Sequence, residues 1–164
     1  MHIIDHYSIF LFGILLKDKK GDIILKNLEH LFLTTGFPLE ICCDNGKEFS
    51  NVKFSQFLTN NNVKEIHGLP RKPHSQGACE SVHQTIAKDL MAKILECKHY
   101  SYLNIERDYN KFIYDYNNLT SHSTRYKPIF LFYHNTEAWT ENVKSNCKRK
   151  FSGINKNALK LNVE

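Results

Sequence analysis

Apolar and polar positions alternate along this chain with two different periods. Residues 2–16 are rich in Ile, Phe and Leu. They read as two strands or one long bent strand, interrupted by the polar stretch Asp5-His6-Tyr7-Ser8. Gly21-Asp22 then opens a helical pattern, with Ile24, Leu28, Leu31 and Phe32 on one face and Gly36 and Pro38 closing it. "LEICC" at 39–43 is a short apolar strand. Phe54, Phe57 and Leu58 mark a second, shorter helix that ends at the Asn run 60–62, and "VKEIHG" at 63–68 alternates as a strand does.

A loop punctuated by Pro70, Pro73 and Gly77 follows. The next helix carries Ile86, Leu90 and Ile94 on one face, and another starts near Leu103 and packs Tyr109, Phe112, Ile113 and Tyr116. Pro128 sits where the first turn of a short helix would begin. Residues 135–164 are rich in Lys and Asn and poor in apolar residues, so they are expected as a loosely ordered tail behind a domain of residues 1–134. Strands alternating with helices imply an α/β or α+β sheet with helices on both faces. In such sheets sites form at the carboxyl ends of strands, and Asp44 follows the strand at 39–43 directly.

The longest apolar run, "IFLFGILL" at 9–16, is too short to span a bilayer. Asp5 rather than Lys or Arg precedes it and no small-residue cleavage site follows, so a buried strand is expected and no membrane partner. A net charge of +5 permits a polyanionic partner without demanding one. The cysteines at 42, 43, 79, 97 and 147 are odd in number and include no Cys-x-x-Cys, which argues against a disulfide framework and a paired-cysteine zinc site. That usage fits an intracellular, reducing setting. His2 and His6 have helix-like spacing but no matching ligand pair.

The stretch "EICCDNGKEFS" at 40–50 carries the chemical question. Asn45-Gly46 is a turn signal, which makes Asp44 either a turn former or a carboxylate held at a strand end. Glu80 lies in "SQGACESVHQT", with 35 residues (45–79) between it and Asp44. By itself Glu80 reads as a first-turn acid favoured by the helix dipole, and Glu48 as a solvated bystander. Together, "DNG-x-x-F" and "SQG-x-x-E", in this order and spacing, resemble the retroviral and gypsy-type integrase catalytic core, whose fold is RNase H-like. "IIDHYSIF" is similar to that family's second strand, and "YNNLTSHSTRYKPIFLFY" to its later Tyr-Asn and Thr-x-x-x-Pro segment, so the likeness covers roughly residues 2–134.

The resemblance implies an RNase H-like mixed sheet flanked by helices, truncated at its amino end. It also implies DNA integration by metal-dependent phosphoryl transfer, with Asp44 and Glu80 as ligands of Mg²⁺ or Mn²⁺. In-line displacement at a phosphodiester charges both the attacking and the leaving oxygen, and two divalent ions about 4 Å apart stabilise both. Hard cations prefer carboxylate oxygens. DNA is the implied partner, with Arg71, Lys72, Gln84 and Lys88 as candidate contacts. A homo-oligomer, and a nuclear location if chromosomal DNA is the target, follow from the same likeness. Gln84 departs from the pattern, since the family commonly has Lys or Arg there. The tyrosines at 109, 114, 116 and 126 read as packing residues rather than a base-stacking platform.

The family uses three acids, and its first strand, which carries the first Asp, lies upstream of anything matched here. Asp5 sits on the stretch that resembles the second strand, so it reads as a strand-end acid beside a turn. Without a first strand, two rows of backbone groups in the middle of the sheet need another partner. Three readings follow: an integrase-type core impaired in catalysis, a domesticated non-catalytic module binding nucleic acid or protein, or a gene remnant.

Overall fold

A computed structural model describes residues 1–43, 46–67, 77–97, 99–121, 124–134 and 160–163, with side chains left aside at 77, 78 and 160–163. The expected elements are present. The first apolar stretch forms β1 (His2–Asp5) and β2 (Leu11–Gly13). Then come α1 (Gly21–Thr35), β3 (Glu40–Cys43), α2 (Val52–Asn60) and β4 (Lys64–His67). The helices α3 (Gly77–Glu96), α4 (Tyr102–Asn118) and α5 (Pro128–Tyr133) follow. Local chemistry sets several boundaries. Gly36, at φ 92°, ends α1 and its N–H caps Phe32 O. The side chain of Asn51 accepts from Phe54 N at the start of α2.

The strand β5 (Lys160–Val163) comes from the stretch expected as a tail. It occupies the middle of a mixed sheet ordered β2-β1-β5-β3-β4. β5 runs antiparallel to β1, pairing Ile3 with Val163 and Asp5 with Leu161. It runs parallel to β3, from Glu40 with Lys160 to Cys43 with Val163. β4 lies parallel to β3 on the far side, and β2 antiparallel to β1 at the other edge. β5 thus takes the central place, between β1 and β3, that the resemblance gave to the family's first strand. Periodicity did not mark them, because "KLNV" offers two apolar residues in four. The unpaired N–H and C=O groups of two neighbouring strands select it instead. Residues 135–159 and 164 lie outside the described residues.

The pleat sorts side chains into two cores. Ile3, Ile41 and Cys43 pack with Ile24, Leu28 and Phe32 of α1 and with Phe54 and Leu58 of α2. Ile4 and Leu11 pack with Cys79, Val82 and Ile86 of α3 and with Tyr109 of α4. Full burial of a Leu, Ile or Phe side chain stabilises by roughly 1.5–3 kcal/mol, so these two clusters hold α1 and α2 on one face and α3 and α4 on the other. The run at 9–16 forms a strand over only three residues. Ile9 takes φ 60°, inside a turn closed by Asp5 N donating to Phe10 O and Ile9 N donating to Asp5 O. Asn117 of α4 reaches the outer edge of β2, where its Oδ1 accepts from Leu11 N and its Nδ2 donates to Leu11 O, both at 2.8 Å. One side chain thereby covers an edge that would otherwise offer a free donor and acceptor.

Candidate functional site

Glu80 lies in the first turn of α3 and its side chain is exposed. It makes no hydrogen bond or ion pair among the described residues. Its position follows from the burial of its neighbours, because Cys79, Val82 and Ile86 face the sheet and turn Glu80, Gln84 and Lys88 outward along one stripe. All three are exposed. Of the two flanking loop cations singled out from the sequence, Arg71 and Lys72, both lie outside the described residues, as does Asp44.

The sheet register shows where the first turn of α3 sits. Ile3, Val163 and Cys43 form one row across three neighbouring strands. The carboxyl ends of β3 and β5 and the amino end of β1 therefore lie at the same end of the sheet. α3 begins there too. Cys79 Sγ lies 3.9 Å from His2 O, and His83 Nδ1 lies 3.3 Å from His2 Nδ1. Glu80 stands between these two anchors in the chain. Ile41 and Cys43 belong to the α1–α2 core, so Cys42 faces the opposite side, the side of α3. The structure thus brings Glu80 to the end of the sheet at which β3 stops, one residue before Asp44 in the sequence.

Asp5 does different work. It is buried, and its Oδ2 accepts from Ser8 N at 2.7 Å and from the Ser8 hydroxyl. Ser8 Oγ in turn accepts from Phe10 N at 3.1 Å. The carboxyl group fastens the β1–β2 turn, as the sequence suggested. Burial pushes its pKa up, against the opposing effect of the Ser8 hydrogen bonds. His2 shifts the other way. Burial first, then the amino-terminal charge and His83, lower its pKa to about 4, so the ring is neutral at pH 7. A neutral His2 ring can share one N–H···N bond with His83. Beside them lies a mainly apolar cavity of ≈ 320 Å³ bordered by Ile14, Leu15, Phe49 and Ile86. Of the tyrosines, Tyr109 is buried in the α3–α4 core, whereas Tyr114 is exposed.

Among the described residues no group of three or more His, Cys, Asp or Glu is gathered to hold a metal ion. Glu80 by itself offers the hard, unpaired oxygens that Mg²⁺ takes. No described helix is long and apolar enough to cross a membrane.

No protein-family model matches the chain. In sequence it is 31% identical over 83 residues to the Gag-Pro-Pol polyprotein of Mason-Pfizer monkey virus, a match covering 51% of this chain and 5% of that one. It is 30% identical over 87 residues to the Pol-related polyprotein of the mouse intracisternal A-particle MIA14, covering 52% and 10%. The chain thus spans a small part of the curated relatives it matches. Among solved structures, it superimposes on a chain of the simian T-cell lymphotropic virus intasome in complex with PP2A regulatory subunit B56 gamma. There the TM-score is 0.67 at 18% identity, covering 82% of this chain and 47% of that one. It also matches the HTLV-2 integrase catalytic core domain in complex with magnesium, in its trimeric form (TM-score 0.60, 19% identity, 77% and 80% covered). The BIV integrase catalytic core domain gives a TM-score of 0.62 at 16% identity, covering 80% and 83%. The chain therefore has the fold of the retroviral integrase catalytic core, and about half of its sequence is similar to a segment of retroviral Pol.

Proposed function

We propose that this chain is an integrase-type catalytic-core module of retroelement or transposon origin, comprising residues 1–134 completed by β5. Its site is built on Asp44 and Glu80 and acts on DNA phosphodiesters. One observation carries the proposal. The first turn of α3, with Glu80 exposed, stands at the end of the sheet where β3 stops. Asp44 follows Cys43, the last residue of β3, directly in the sequence.

In this reading Asp44 and Glu80 hold Mg²⁺ or Mn²⁺, which when bound supplies a water of lowered pKa and neutralises charge on the phosphate. The chain's own groups position the substrate. Glu80 is fixed by the buried side of α3. Gln84 and Lys88 continue its stripe away from the sheet end, where a DNA backbone would lie, and Arg71 and Lys72 are further candidate phosphate contacts from the sequence that precedes α3. Lys88 supplies a phosphate contact, whereas Gln84 supplies a hydrogen bond without charge. Two carboxylates by themselves would bind metal and stabilise the transition state less well than three. Like the HTLV-2 core domain, which has dimeric and trimeric forms, the module would self-associate.

A second reading has support in Gln84, which stands where the resembled family commonly has Lys or Arg: a non-catalytic module that keeps a DNA- or protein-binding surface. One experiment separates them. Nicking of duplex DNA is followed with Mg²⁺ and Mn²⁺, alongside salt-dependent DNA binding, for the parent chain and for Asp44→Asn, Glu80→Gln and Lys88→Glu. The first reading expects metal-dependent nicking abolished by either carboxylate change. The second expects no nicking, and salt-sensitive binding that survives both carboxylate changes and weakens with Lys88→Glu. A chain that neither nicks nor binds DNA sinks the nucleic-acid role altogether.

A further inference from the structure

We propose that the cavity beside His2 is a binding site for a small, neutral hydroxy-aromatic molecule, whose hydroxyl group bonds to His2 Nε2 while its ring fills the apolar space. The inference rests on the cavity and its lining, and stands apart from the proposed catalytic role.

Two independent observations combine. The first is the space itself. The cavity measures ≈ 320 Å³ and draws its wall from both layers of helices. Ile24 of α1 stands on one side and Ile86 and Leu90 of α3 on the other, with Phe49 ahead of α2 and Tyr109 of α4 between them in the lining. That lining is mainly apolar. A dry cavity of about 150 Å³ takes up benzene, so this one has room for a single ring or a fused pair. The rings of Phe49 and Tyr109 favour an aromatic guest, in offset or edge-to-face contact.

The second is a polar atom with nothing to bond. His2 borders the cavity and is only 5% exposed. Its Nδ1 is engaged by His83 Nδ1 at 3.3 Å. Its Nε2 is buried and has no hydrogen-bond partner among the described residues. A buried nitrogen of this kind calls for a partner, and the cavity is where one can be seated. Water would answer Nε2 but leave the apolar wall wet. A hydroxyl group on an aromatic ring satisfies both. It donates as well as accepts, so it serves whichever tautomer the bond to His83 leaves at Nε2. A charged guest is disfavoured, because a buried ion without a close counter-charge is costly. Lys19 and Glu48 also border the cavity, but neither is buried, and the Met1 amino group is taken up by Ile14 O at 2.8 Å.

The test uses the full chain and two probes of nearly the same shape, naphthol and methylnaphthalene, which differ by a hydroxyl against a methyl group. Equilibrium dialysis measures both. Naphthol is expected to bind the parent with a Kd on the order of 100 µM. In His2→Phe the preference for naphthol over methylnaphthalene is expected to fall about tenfold, the worth of one buried hydrogen bond. Ala87 borders the cavity from an exposed position on α3, and Ala87→Phe is expected to fill it and weaken both probes. Heteronuclear NMR of the His2 side-chain nitrogens in the parent needs no substitution: Nε2 is expected to shift with naphthol and to stay nearly unmoved with methylnaphthalene. No saturable naphthol binding below about 1 mM overturns the proposal. So does binding that ignores Ala87→Phe, a preference unchanged in His2→Phe, or an Nε2 resonance that does not respond to naphthol.

Discussion

Replacing Asn117 by Leu removes the one side chain that closes the outer edge of β2. The substitution nearly preserves volume but deletes both the acceptor for Leu11 N and the donor to Leu11 O, each bond being 2.8 Å in the folded protein. Asn117 and Leu11 are both buried, so the backbone groups of Leu11 lose their partners away from water. An unsatisfied buried donor or acceptor costs about 1–3 kcal/mol, and two give an expected loss of about 2–5 kcal/mol. For a chain of this size that lowers Tm by roughly 5–15 °C. Asn117→Asp keeps an acceptor for Leu11 N but sets a carboxylate oxygen against Leu11 O, so its loss should be at least as large. The neighbouring Asn118 is the control. Its Nδ2 donates to Tyr114 O on the exposed side of α4, and Asn118→Ala should cost less than about 0.5 kcal/mol. Urea melts measure all three, and hydrogen exchange at the Leu11 amide reports the local effect. An Asn117→Leu chain within about 0.5 kcal/mol of the parent would refute the edge-clamp argument.

Two further outcomes follow from packing and titration. A Cβ at Gly13 would lie 2.5 Å from Ile113 Cδ1 and 2.7 Å from both Ile113 Cγ1 and Tyr109 Oη, so Gly13→Ala should cost about 1–3 kcal/mol in a denaturant melt, and an unchanged midpoint would contradict the close approach of β2 to α4. The folded pKa of His2, about 4, lies below its ordinary value of 6.5, so its contribution to stability is fully present above pH 6.5 and is lost as pH falls through 4. Allowing for the neighbouring cavity, the loss is about 1–3 kcal/mol, and the stability difference between the parent and His2→Gln should vary with pH over that window. A difference independent of pH would remove burial as the cause.

The helices and the four strands around β5 were legible because their apolar residues recur at the helical or strand period. Ile24, Leu28 and Phe32 are the clearest case. The outward position of Glu80 in the first turn of α3 has a related cause. The burial of Cys79, Val82 and Ile86 dictates that Glu80 faces out, and the helix start after the proline-rich loop places it at the sheet end. Asn117 was not legible as a clamp, since an amide on a helix normally reads as part of the polar face. β5 was hidden more deeply. Its place is decided by the hydrogen-bonding vacancy of two distant strands rather than by its own four residues. Asp5 shows the opposite situation, where the local Asp-x-x-Ser spacing suffices to fix a turn.

The central strand of this sheet is encoded far downstream of its neighbours. Ile3 meets its partner Val163 only after the residues between them have been made, so the sheet cannot close until translation has passed β5. Pairings between such distant positions raise contact order and slow folding. On the ribosome, β1, β2 and α1 emerge early and wait for β5. Emergence of β5, rather than of any single helix, therefore sets the moment at which this sheet can first close.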